Sequence, residues 1–220
     1  MDQLKTYKLN FKKVKGFSIT PVIVFYLKIN SIIVFQIKEG NENIDVDFEF
    51  SVKCTDNLND DLENAIKQLN KQKKLAQRAK YCMLVDDYYM SMYRLSFSGN
   101  QMKNFYQSIE LEIDNLQDYY WEYTEGPKET KDLTTILVFM MKKTQLDGIE
   151  AVFKSHKIFL RRMISRYHSF IELFQDKEFK LEASKLNLIV DISSSRVRVF
   201  CVLNNEIKMY RRMAIKPIDG

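Results

Sequence analysis

With 220 residues, 45% of them hydrophobic and 13% aromatic, the chain has enough apolar material for one large domain or two small ones. A charged fraction of 29% and only three prolines argue against wholesale disorder, and a net charge of +5 is too mild for a dedicated nucleic-acid binder. Cys54, Cys82 and Cys201 lie far apart with no CxxC pair, so neither a disulfide framework nor a zinc site is indicated and free thiols in a reducing compartment are expected.

Residues 1–20 read as a basic extension: Met1 to Lys15 is polar and lysine-rich, without the apolar core of a signal peptide. The longest apolar runs, over 22–27 and 32–35, are far too short to cross a bilayer, so the sequence predicts a soluble cytoplasmic protein. Strands are expected over 21–29 and 31–37, joined by a tight turn at Asn30 and Ser31, with another turn at Gly40 and Asn41. Ile44, Val46, Phe48, Phe50 and Val52 then alternate with polar residues, the period of a half-buried strand, and the three strands make a meander.

A helix follows. Asp60 and Glu63 have the spacing of an N-cap and its carboxylate partner, and Leu62, Ala65, Ile66, Leu69 and Ala76 share one face. The lysine-rich run over 71–80 suits the carboxyl end of the helix dipole better than a nucleic-acid patch. Two strands, over 81–85 and 89–95, read as a hairpin around Asp86 and Asp87, and a second helix runs through Met102, Phe105, Tyr106, Ile109, Ile113 and Leu116. Residues 118–132 read as polar and turn-rich, broken at Gly126 and Pro127. A strand over 133–141, a short helix through Leu146 to Phe153 despite Gly148, a strand near 157–163, a helix through Phe174 and a charged connector up to Lys185 complete this part. The end of the chain predicts three strands, over 186–192, 196–203 and 206–215, with turns at Ser193–195 and at Asn204 and Asn205.

Few residues carry obvious chemistry. Asp86 and Asp87 are adjacent, so as strand residues they point to opposite faces and do not converge as a catalytic pair; a turn is expected. His156 and His168 lack partners at metal-ligand spacing, and no catalytic or metal-binding residue is assigned. Trp121 with Tyr119, Tyr120 and Tyr123 either caps a small core or anchors a partner. Arg161, Arg162 and Arg166, and Arg211 with Arg212, read as solvated charges on half-buried strands rather than an anionic contact face.

The run LIVDISSSRVRV over 188–199 is the one motif with a chemical reading. A strand ending in Asp191 and a turn of Ser193, Ser194 and Ser195 resembles a phosphate loop of the actin-like ATPase superfamily. With Asn204 to Ile207 and the arginines Arg211 and Arg212 after it, the run is similar to the start of the second half of the PilM family of type IV pilus assembly proteins. The order of the preceding elements resembles the same family, which is related to the cytoplasmic domain of the GspL family in type II secretion. The resemblance implies an α/β, actin-like (ribonuclease H-like) fold. Its first half spans 21–185 with an inserted subdomain over about 81–132, and the opening hairpin of the second half lies over 186–220, in an incomplete or degenerate form. It implies a cytoplasmic scaffold peripheral to the inner membrane, without enzymatic activity. Such a scaffold binds the cytoplasmic tail of a single-pass, PilN-like membrane protein and links it to an assembly ATPase.

For a nucleotide the resemblance nominates Asp191, Ser193, Ser194 and Ser195. Departures from the family pattern stand beside them. The first loop, over 27–32, has Lys28 and Asn30 where Asp and Gly are expected, and Ser193 stands where Gly is usual. The family's adenosine-contacting segment would lie beyond Gly220. ATP with magnesium is therefore not expected to bind, although a plain hairpin and a phosphate site both remain readings of Asp191. Rival readings are an ATPase or kinase-like enzyme of the same superfamily and a basic nucleic-acid-binding accessory protein.

Overall fold

The structure, a computed structural model, describes residues 21–39, 44–72, 79–125, 132–175, 181–182, 184–192, 196–204 and 206–215. It divides into two compact units. One comprises the described residues up to Ser91, Gln117–Glu122 and Met140–Arg166; the other comprises Met92–Leu116, Tyr123–Phe139 and the described residues from Tyr167 onward.

The first unit is built on a five-stranded sheet of order β3-β2-β1-β4-β8. Strands β1 (Val22–Leu27), β2 (Ser31–Glu39) and β3 (Ile44–Lys53) form the expected antiparallel meander. Strand β4 (Lys80–Val85) lies parallel to β1, and β8 (Leu160–Ser165) lies parallel to β4. Parallel neighbours need long crossovers, which here carry helices α1 (Leu58–Lys71) and α4 (Lys143–Ser155). Phe25 and Leu27 of β1, Met83 and Val85 of β4, Leu62 and Ile66 of α1, and Ile149 and Phe153 of α4 are buried in one core. The Phe25 and Phe153 rings meet edge to face at 4.9 Å.

Three local expectations change in this unit. The N-cap of α1 is Asn57, not Asp60: the Asn57 side chain accepts from the backbone N–H groups of Asn59 and Asp60 and leaves Asp60 inside the first turn. The helix ends at Lys71, and Ala76 lies outside the described residues, as do Gly40 and Asn41. Strands over 81–85 and 89–95 do not form a hairpin, because β4 is a central strand between β1 and β8.

A second sheet has the order β5-β7-β6, from β5 (Ser91–Ser98), β7 (Leu133–Lys142) and β6 (Tyr119–Glu125). Strand β6 replaces part of the expected turn-rich segment: Tyr119, Tyr120, Trp121 and Tyr123 suit a pleated surface. Gly126 and Pro127 lie outside the described residues. The expected single helix is two, α2 (Gly99–Lys103) and α3 (Phe105–Glu112), separated at Asn104. A capping box between Ser98 and Gln101 starts α2, and Ile109, Ile113 and Leu116 are buried as expected.

Helix α5 (Arg166–Gln175), from Tyr167 onward, and strands β9 (Asn187–Ile192), β10 (Arg196–Leu203) and β11 (Glu206–Ala214) belong to the second unit. The strands form an antiparallel sheet of order β11-β10-β9. Its inner face packs on α5 through aromatic pairs, Phe170 with Phe200 at 4.8 Å and Tyr167 with Tyr210 at 4.7 Å. Burial holds the Tyr167 hydroxyl in its protonated form far into the alkaline range.

Candidate functional site

In an open α/β sheet, ligands bind beyond the carboxyl ends of the parallel strands. In the first unit those ends are Leu27, Val85 and Ser165, followed by Lys28, Asp86 and Arg166. Asp86 and Asp87 are both buried. Asp86 is fixed from both sides, since its N–H donates to the Leu27 carbonyl and its carboxylate accepts from the N–H of Tyr88. Its carbonyl accepts from the N–H of Tyr89, so the expected turn is present. Arg166, at the end of β8, places its guanidinium 4.0 Å from the Asp86 carboxylate and donates to the Tyr26 hydroxyl. Lys28 and Arg166 each lie within 6 Å of the Tyr26 ring, at 5.9 and 5.7 Å from its centroid. Two cations, a phenol and a buried carboxylate thus share this edge.

The first loop is pinned through its backbone. The Lys28 N–H donates to the Ser31 carbonyl at 2.9 Å, which closes a tight hairpin and commits that amide. The Lys28 carbonyl accepts from the Tyr89 hydroxyl at 3.4 Å and faces the Cys54 thiol, while the Cys54 N–H donates to the Asn30 carbonyl. Burial, with the nearby Asp61 carboxylate, raises the Cys54 thiol above its ordinary value, and burial raises the Tyr89 hydroxyl further still. A phosphate cradle needs amides turned toward the ligand. At Lys28 the amide is used within the hairpin, and the side chain is a cation where a metal-positioning carboxylate is expected.

The second loop belongs to the other unit. Asp191 sits on β9 opposite Arg198 of β10. The Arg198 side chain is fully buried and its Nη1 donates to the Asp191 carboxylate at 3.2 Å. Asp191 is therefore engaged with a guanidinium across the strand pair. Ser193, Ser194 and Ser195 lie outside the described residues. Among the described residues no group of three or more His, Cys, Asp or Glu side chains is arranged to hold a metal ion, and no helix is long and apolar enough to cross a membrane.

The other residues singled out by sequence are dispersed. His156 lies 3.1 Å from the Glu63 carboxylate; this contact, with Lys67, holds Glu63 below the usual carboxylate range. His168 packs against Phe139 with centroids 4.3 Å apart and the ring planes tilted by 51°. Tyr120 packs against the core of the first unit. Arg161 is exposed, but Arg162 is buried, so these neighbours do not form one solvated face; burial lowers the Arg162 pKa. Sequence reasoning missed the pairing of Arg166 with Asp86 and Tyr26, because only the parallel register of β1, β4 and β8 brings residues so distant in the chain to one edge.

No protein-family model matches the chain, and no curated protein matches its sequence. Solved structures do match its fold. A chain of the PilM-PilN type IV pilus biogenesis complex aligns over 91% of this chain and 62% of its own length, with 11% identity and a TM-score of 0.61. A Bacteroides thetaiotaomicron protein of actin-like ATPase fold and unknown function aligns over 90% of this chain and 71% of its own, with 12% identity and a TM-score of 0.56. The cytoplasmic domain of EpsL, an inner membrane component of the type II secretion system of Vibrio cholerae, aligns over 89% and 71%, with 11% identity and a TM-score of 0.54. The fold is actin-like, and the chain spans 62% of the pilus-complex chain that it matches.

Proposed function

We propose that this actin-like chain is a scaffold without nucleotide turnover, peripheral to the inner membrane in a machine of the type IV pilus or type II secretion kind. Its partners in this reading are the cytoplasmic tail of a single-pass, PilN-like membrane protein and an assembly ATPase. The observation that carries the proposal is the placement of cations at the two loops. Lys28 occupies the first, and the Asp191 carboxylate of the second is held at 3.2 Å by the buried Arg198. Neither position fits the magnesium complex of a nucleotide, whose metal needs a carboxylate not already neutralised by a guanidinium. The fold likeness to a pilus complex and to a secretion-system domain supports the choice of machine.

Titration with Mg·ATP followed by thermal shift tests the absence of a nucleotide site. A ligand at a hundredfold excess over its Kd stabilises the folded state by about 2.7 kcal/mol, which for a chain of this size is a rise of about 5–10 °C in Tm. The expected result is a cooperative melt with no magnesium-dependent rise; a clear rise restores the ATPase reading. Fluorescence anisotropy with synthetic peptides of the cytoplasmic tails of single-pass membrane proteins from the same organism tests the partner. Saturable binding of one tail is expected, and no binding by any of them removes the adaptor role.

A further inference from the structure

Among the described residues, the sheet of β9, β10 and β11 is packed by α5 on one face. Phe200 and Tyr210 point toward α5. The register places the alternate residues on the opposite face in three cross-strand rows. Leu188 on β9 and Met209 on β11 flank the first row, Val190 and Arg211 the second, Ile192 and Met213 the third. Leu188 is 64% exposed, Val190 49%, Ile192 70% and Met213 49%, so among the described residues nothing covers these side chains, although Cys201 at the centre of the first row is buried. Strand β9 is also an edge strand, and its described residues include neither the lysine nor the proline that usually protects an edge.

We propose that this face is the interface of a homodimer, in which two copies pack sheet on sheet about a two-fold axis parallel to β10. Three observations favour a second copy as the occupant. First, eight of the nine side chains in the rows are apolar, which matches homodimer interfaces rather than transient contacts with unlike partners. Second, Leu188, Val190, Ile192, Met209 and Met213 are all exposed on this one face, a grouping of apolar side chains of the kind that marks an interaction site. Two such faces bury on the order of 1,000 Å² together, the lower bound of a specific interface. Third, the single charge is placed to suit this symmetry. An axis along β10 lays β9 of one copy over β11 of the other, so each Arg211 meets Val190 of the partner subunit at the rim. There its stem covers apolar surface and its head reaches water. A two-fold axis across the strands would instead stack the two Arg211 side chains on each other. Sheets packed in this aligned manner lie about 10 Å apart, with their side chains interdigitating. This inference is independent of the scaffold reading.

Sedimentation velocity across a micromolar concentration series tests the dimer, and three single variants test its geometry. Ile192→Glu buries a carboxylate against the thioether of the opposing Met213, and Val190→Lys sets a cation against Arg211. Ile192→Glu should raise the dimer dissociation constant by more than about a hundredfold, and Val190→Lys, whose charge meets Arg211 at the wet rim, by more than about tenfold. Val190→Glu faces Arg211 instead and should raise it less than about tenfold. Both positions are exposed within one copy, so the thermal melts should stay cooperative, and a variant whose melt is not cooperative is replaced by Leu188→Glu, which faces Met209 and should also abolish the dimer. A monomer at every concentration overturns the proposal, including one that instead captures another polypeptide. A dimer indifferent to Ile192→Glu, or one weakened equally by Val190→Glu and Val190→Lys, overturns it as well.

Discussion

Arg198 reaches across the β9–β10 pair to place its guanidinium 3.2 Å from the Asp191 carboxylate, and its side chain is fully buried. A cation removed from water needs a counter-charge and hydrogen bonds, or it costs several kcal/mol. The pair thus explains Asp191 without a ligand: the carboxylate that the strand-and-turn motif offers to a metal is the acceptor that lets Arg198 sit inside the sheet packing. The structural and the functional readings of Asp191 compete for the same oxygens.

This competition is measurable as stability. Asp191→Ala leaves Arg198 buried without that acceptor and should lower the unfolding free energy by about 3–5 kcal/mol. The double variant Asp191→Leu with Arg198→Met removes both charges and should recover most of the loss, since an apolar replacement of similar volume is often neutral. Urea denaturation of the two variants checks this. If Asp191→Ala melts like the parent chain, the ion pair is not a structural element and Asp191 is available for another role.

Helix α1 gives a prediction in which position matters more than residue type. Asn57 accepts from the N–H groups of Asn59 and Asp60 at 3.1 and 3.4 Å, and it also donates to the Asp60 carboxylate. Asn57→Ala should therefore cost about 1 kcal/mol, the usual value of an N-cap. Asp60→Ala removes a favourable charge near the helix dipole and the exposed acceptor of the Asn57 amide but leaves the cap's own bonds in place, and should cost about half of that or less. Chemical denaturation that ranks Asp60→Ala as the more damaging change would return the cap to Asp60.

Gly148 lies in the middle of α4, where glycine is normally a disadvantage of about 1 kcal/mol relative to alanine. A Cβ at this position would come within 2.9 Å of the Asn59 side-chain oxygen on α1, so close helix approach accounts for the residue. Asn59 is exposed and its amide can swing aside. Gly148→Ala should then be mildly stabilising, by a few tenths of a kcal/mol, and Gly148→Ala with Asn59→Ala should approach the full helix-propensity gain of about 1 kcal/mol. A Tm that falls for the double variant would mean that the backbones themselves are too close.

Most of the framework is legible in the sequence because burial writes a period onto it. The alternation from Ile44 to Val52 and the helical face of Leu62, Ala65, Ile66 and Leu69 both reappear in the structure, although Val46 is left exposed. Where the reading fails, non-local pairing decides. Tyr81 to Val85 looks like one arm of a hairpin from its neighbours in sequence. It is a parallel central strand, and its nearly unbroken apolar run (Cys82, Met83, Leu84, Val85) is the mark of burial on both faces. Strand β6 was hidden because its aromatic residues stand among acidic ones, so polarity outweighed β-propensity. At the candidate site Asp191 could be picked out by its turn, but Arg198 could not. Arginine on an alternating strand reads as a solvated charge until the register sets it against a carboxylate.

The last prediction concerns alkaline pH. Burial pushes the Cys82 thiol from an ordinary 9.0 up to about 11, against the opposing pull of Arg162 and Lys80. Burial also raises Tyr81 and Cys54. A raised pKa means that the folded chain holds its proton more tightly than the unfolded one. The associated stability is complete below about pH 9 and is lost as pH rises through about 11. The urea midpoint should therefore fall steadily across that window, where an exposed thiol would contribute no slope. Cys82→Ala should flatten the slope, whatever the packing loss does to the midpoint itself, so the quantity to compare is the pH dependence and not the absolute stability. An unchanged slope in Cys82→Ala would assign the alkaline loss to Tyr81, Cys54 and the other buried hydroxyls, and would mean that the Cys82 thiol ionises as readily in the folded chain as in the unfolded one.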